Sequence, residues 1–160
     1  MRTGIGWLRA AVALVRHYLG NREAVDRALV GFLRQRGVGW FTGLGAGLPP
    51  QDRLAAVLDA LFDDGSDQPG QVVDTLLGAT SQDPTLRALL REMYLEFEHL
   101  LDAELAAAYP HAERAERRQV AYAILCLAGM HSSLAELGFP VDRAIAARRS
   151  AQLLIDTLAP

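Results

Sequence analysis

Glu92, Glu96 and His99 recur at i, i+4 and i+7, the spacing that would bring three metal-capable side chains to one face of a helix. Their stretch also carries Arg91, Glu98 and Asp102, and carboxylates on so wet a face are ordinarily solvated. The expectation is therefore no metal and no other cofactor. His131 stands beside Ser132 and Ser133, with Glu136 the nearest acid. Neighbours in sequence cannot take up the nucleophile–base–acid geometry of a catalytic triad, so His131 reads as a satisfied buried or interface histidine. Gly43-Leu44-Gly45-Ala46-Gly47 has no preceding strand and no following lysine, which argues against a phosphate-binding loop. Cys126 is the single cysteine, in mid-helix and expected to be inert. It excludes an intramolecular disulfide and points to a reducing, cytoplasmic setting. No constellation for an enzyme emerges. Two groups remain that could do binding chemistry. One is a basic and aromatic cluster, Arg16, His17, Tyr18 and Arg22, suited to phosphate contacts. The other is a scatter of adaptable apolar and hydroxyl-bearing side chains through the middle of the chain.

Composition sets the frame that must position them. At 160 residues one domain is expected, large enough to bury roughly 70% of its unfolded surface. Apolar residues make up 51% and aromatics only 7%, with Ala and Leu dominant, which suits helices packed through small side chains. All sixteen basic residues are Arg. Their distribution is uneven: residues 1–36 hold seven Arg against Glu23 and Asp26, a balance of +5, and residues 37–160 hold nine Arg against seventeen acids, a balance of −8. A basic first segment on an acidic body suits contact with a polyanion. No apolar run approaches the ~20 residues of a membrane span. Arg9 interrupts the apolar stretch Gly4–Val15 and Arg16 closes it, so no secretory leader is expected.

The punctuation predicts about seven helices and no strands, an all-α fold. A short helix over 7–18 is followed by a long one from about Arg22 to Arg36, extending as far as Phe41, capped by Asn21 and showing Ala24, Ala28, Leu29, Phe32 and Leu33 at helical spacing. Helices are then expected over Pro50–Asp63, from Pro69 to about Gly78, and from Pro84 to Ala108 with Asp83 as N-cap. The next, about Ala112 to Leu137, has no charged residue between Arg118 and Glu136. A helix apolar nearly all round must be buried nearly all round. Two apolar faces appear together, one of Val120, Ile124, Leu127, His131 and Leu134 and the other of Ala121, Leu125, Ala128, Ser132 and Ala135; one can meet the core and the other calls for another chain. Gly138 ends this helix, and a last one runs from beyond Pro140 to about Leu158.

The stretch Tyr18-Leu19-Gly20-Asn21-Arg22-Glu23 resembles a junction of the tetracycline-repressor (TetR) family of bacterial transcription regulators. There a recognition helix ends in a His/Tyr-Phe-x-Ser/Asn-Lys-Glu pattern and a long helix enters the ligand-binding domain. The order of the remaining helices is similar through to the C-terminus. The resemblance implies a TetR-like C-terminal helical domain whose last two helices pair with their copies in a four-helix dimer interface. In this chain that interface would comprise Ala121, Leu125, Ala128, Ser132, Ala135, Leu154, Ile155 and Leu158. It implies a small apolar or amphipathic effector held among Trp40, Phe62, Met93, Tyr94, Phe97, Tyr122, Cys126 and Met130. It also implies operator-DNA contacts at Arg16, His17, Tyr18 and Arg22. About three helices precede the junction in that family, whereas here Arg9 and Ala11 fall where a turn glycine and a helix cap would stand. Residues 1–20 are thus expected to be a residual, truncated helix-turn-helix and 21–160 the ligand-binding and dimerisation domain. The alternative expectation is a helical dimer that binds a small molecule, or pairs with a full-length regulator, without touching DNA.

Overall fold

Helix starts fall where prolines and an aspartate put them. The computed structural model describes residues 22–62, 70–136, 138, 140 and 142–160. Within these the chain forms six helices and no strand: α1 (Arg22–Gly43), α2 (Pro50–Leu61), α3 (Gly70–Ala79), α4 (Pro84–Ala108), α5 (Arg114–Glu136) and α6 (Asp142–Asp156). Pro50 and Pro84 occupy first-turn positions, where a missing N–H costs nothing. Asp83 caps α4, its Oδ1 accepting the Leu86 N–H at 2.9 Å, and the Tyr109 N–H closes the last turn on the Leu105 carbonyl at 2.8 Å before Pro110 stops it. Gly138, at φ +78°, lies just beyond α5, a backbone that L side chains resist. The expected helix over 7–18, the Asn21 cap, the loop 63–67 and the whole of segment 1–20 lie outside the described residues.

α1 differs from expectation in length and in face. It continues through Gly37 and Gly39 to Gly43, because Phe41 is buried against the rest of the molecule and packing outweighs poor helix propensity. Its inward stripe is Val30, Leu33, Gly37 and Phe41, so that of the predicted series Leu33 is buried and Leu29 packs beside it while the rest of the stripe is shifted. Ala28 is exposed, and Phe32 points out with 57% of its surface accessible.

The buried side chains form two clusters. The larger joins Phe41, α2, the C-terminal half of α4, the N-terminal half of α5, and α6, around Val57, Leu58, Leu101, Leu105, Ile124 and Ile155. The smaller joins Val30 and Leu33 of α1, Leu76 of α3, and Leu86, Leu90 and Met93 of α4. α1 and α4 contribute to both clusters in the same order, so they run in the same direction. Phe97 is packed against both clusters.

Ion pairs fasten the helices to one another, most of them on α4. Arg34 meets Glu96 through two hydrogen bonds, Arg53 meets Glu104 at 2.5 Å, and Arg118 meets Glu98 at 3.2 Å. Arg117 lies 3.5 Å from Asp102, both largely shielded, and Arg148 of α6 donates to Asp59 of α2 at 2.8 Å. The Arg117–Asp102 and Arg118–Glu98 pairs make α4 and α5 an antiparallel hairpin, since higher numbers on one meet lower numbers on the other.

Candidate effector seam and pairing face

Aromatic rings collect where the two clusters meet. Trp40 stands edge-on to Phe41 with centroids 5.0 Å apart, Phe41 lies 5.9 Å from Phe97, and Phe97 lies 6.5 Å from Tyr94. Met93 is buried in the smaller cluster one turn before Phe97. On the α2–α5 side, Phe62 is buried with the His131 ring 6.0 Å away, tilted by 44°. Five of the eight residues expected at an effector site thus lie in or beside the cores: Trp40, Met93, Tyr94 and Phe97 along α1 and α4, and Phe62 at the end of α2.

The other three do not join them. Tyr122 and Met130 are 63% and 60% exposed, and Cys126 between them is exposed as well. These positions are spaced by four and share the outer face of α5. The core takes Val120, Ala121, Ile124 and Ala128 instead. One residue along a helix is a rotation of about 100°, so Ala121 and Tyr122 need not share an environment. The neighbouring Cys126 sulfur, interacting with the Tyr122 hydroxyl, holds the phenol's pKa above its ordinary value.

The expected dimer residues divide similarly. Ala121, Ala128, Ile155 and Leu158 are buried within the chain's own larger cluster, and Leu125, Ser132 and Leu154 are half-buried. The side chain of Ala135 lies outside the described residues. The small face of α5 lets α6 approach closely within one chain, through Ala151 and Ile155. What stays outward is the Tyr122–Cys126–Met130 stripe, and on α6 Ile145 and Leu153. α5 carries no charge from Gln119 to Ala135, so this stripe is uncharged and uncovered. The sequence held two uncharged faces on α5 and no signal for which turns inward.

Glu96, one of the three residues with metal-ligand spacing, is engaged by Arg34. That hydrogen bond holds its carboxyl below the usual carboxylate range and raises the Arg34 guanidinium. Among the described residues no group of three His, Cys, Asp or Glu side chains is placed to hold a metal ion, and no helix is long and apolar enough to cross a membrane. Arg16, His17 and Tyr18 lie outside the described residues. Arg22 opens α1, its side chain likewise outside them.

Two residues that sequence reasoning gave no role sit at the centre of this arrangement. Phe41 completes the row of rings, and Gly37 lies under Phe97. The i, i+3, i+7, i+11 spacing of Val30, Leu33, Gly37 and Phe41 is the signal that marks them.

No family model matches the sequence, and no curated protein matches it either. The structure, however, superposes on a TetR transcription regulator from Haloarcula marismortui ATCC 43049 with a TM-score of 0.73, covering 91% of this chain and 79% of that one at 15% identity. At that identity the likeness speaks for architecture: the chain has the all-helical fold of a TetR transcription regulator.

Proposed function

We propose that the chain is a TetR-type transcription regulator in which residues 22–160 sense a small molecule and pair with a second copy. The observation that carries this reading is the shared fold over 91% of the chain. The effector, small and apolar or amphipathic, enters the seam between the two clusters, where Phe97 is packed against both and Tyr94 beside it adds a phenol to the aromatic surface. The second copy covers the stripe Tyr122, Cys126 and Met130 with Ile145 and Leu153, an isologous contact about a twofold axis. Aromatic and methionine side chains without charge are what the centre of such a contact requires. Arg16, His17, Tyr18 and Arg22, in the basic first segment, meet DNA phosphates.

The mechanism is a population shift. An effector bound in the seam stabilises whichever placement of α1 gives it the better contacts, and only that difference in affinity does work. α1 leads directly to the basic segment, so its placement in two paired copies sets the spacing of two DNA-contacting ends.

Two measurements test the proposal. Light scattering behind size-exclusion chromatography should give twice the 17.4 kDa chain mass. A stable single-chain mass removes the pairing. Selection from a random duplex pool at moderate salt should enrich a palindromic site. Enrichment of nothing, with pairing intact, removes the DNA-reading part and leaves a helical dimer that acts through a small molecule or another regulator.

A further inference from the structure

α1 contains four glycines, Gly31, Gly37, Gly39 and Gly43, and they are not equivalent. A Cβ at Gly31, Gly39 or Gly43 would meet nothing within 4 Å. At Gly37 it would run into Cζ of Phe97 and lie 2.7 Å from Cε1, closer than any packed carbon pair. The phenyl ring therefore sits directly on the α1 backbone, in the notch left by the missing side chain. Phe41 and Tyr94 flank it, their ring centroids 5.9 and 6.5 Å away. One turn earlier on α1, Arg34 is bonded to Glu96, the neighbour of Phe97.

The notch also falls at the division of the molecule. Before Gly37, α1 packs into the smaller cluster through Val30 and Leu33; after it, into the larger through Phe41. Gly39 follows two residues on with no side chain to stiffen the turn. Closely spaced small residues are where helices bend. We infer that Gly37–Gly39 is a hinge in α1 and that the Phe97 ring is its pin, so that the ring's position sets the angle between the two halves of α1. Phe97 faces the seam assigned above to the effector. A seam occupant that displaces the ring acts on the Arg22–Arg36 half and leaves Trp40–Gly43 in place. The biological use of the hinge rests on the regulator reading; the hinge itself does not.

Spin-label distances in the full chain test it, in a Cys126→Ser background with labelled chain diluted into unlabelled. One label pair, Ala28→Cys with Ala88→Cys, reports the N-terminal half of α1 against α4. A second, Thr42→Cys with Ala107→Cys, reports the C-terminal half; all four positions are exposed. Gly37→Ala should shift or broaden the first distance and leave the second unchanged, and adding Phe97→Leu should return the first toward its parent value. Gly39→Ala, with open space around it, should leave both distances alone and raise Tm by about 2–4 °C through helix propensity. No change in either pair with Gly37→Ala, or equal shifts in both, overturns the hinge. If Gly37→Ala does not fold, Phe97→Leu alone is read: broadening of the first pair only is expected, and an unchanged distribution overturns the proposal. None of these readouts involves DNA or effector, so failure of the regulator reading and failure of the hinge are separately visible.

Discussion

Arg34, bonded to Glu96, favours the ionised form of its carboxyl, and this has a definite sign in a pH titration. Its carboxyl is held below its ordinary value, about 4.3 in an unfolded chain. A group depressed on folding contributes stability that is complete above the unfolded value and is lost as pH falls through the folded one. Parent and Glu96→Gln should therefore differ in Tm at about pH 7 and converge as the solution is acidified below about pH 4. A gap that widens in acid would contradict the pairing. Asp83 offers a second case at this scale. Its side chain satisfies the Leu86 N–H at the start of α4, and Asp83→Ala should cost about 1 kcal/mol, read as a Tm lower by roughly 2–4 °C. The two residues differ in how far they could be read in advance. Asp83 announces itself through Pro84 and the apolar stripe that follows, all within a few residues. The partner of Glu96 is 62 residues away on another helix, and no local pattern contains that information.

The same limit recurs among the helices, and α5 shows it most clearly. That α5 exists, and that it is uncharged over most of its length, is plain in the sequence. Which uncharged face turns inward is decided by α4 and α6, whose own side chains fill the space beside Ala121 and Ala128. The larger Tyr122 and Met130 are left outward. Likewise the start and end of α4 follow from Asp83, Pro84 and Pro110, whereas the face of α1 follows from the fit of Phe97 on Gly37. Substitutions on the two faces of α5 should accordingly behave in opposite ways. Met130→Glu places a charge on an exposed position, so helicity should persist while the mass by light scattering falls to that of one chain. Ala121→Leu adds bulk where no surface is exposed, and overpacking of this kind costs about 1–3 kcal/mol, visible in a thermal melt. An unchanged melt for Ala121→Leu together with loss of pairing would return the small face to the interface.

Over the whole molecule, stability should be as unevenly distributed as burial. The larger cluster draws on five helices and contains Val57, Leu101, Leu105, Ala121, Ile124 and Ala151, each with no accessible surface. Burying a leucine or isoleucine completely contributes about 1.5–3 kcal/mol, and these side chains are mutually in contact, so opening one exposes several. The smaller cluster has six buried members, and one of its walls is the ten-residue α3, which contributes Leu76. Local opening follows contact density. In native-state hydrogen exchange, amides of α3 and of Ala24–Leu33 should exchange first, at an opening free energy well below that of global unfolding. Those of Leu101–Ala108 and Val120–Ala128 should exchange last, together with the whole fold. The boundary between fast and slow segments should fall near Gly37 on α1 and Phe97 on α4, because there both helices pass from one cluster to the other. An effector bridging the clusters would raise protection on the fast side more than on the slow, since the slow side is already limited by global unfolding. Uniform protection across the two clusters would mean that they open as one cooperative unit, and that the seam between them is not a place where binding can be converted into movement of α1.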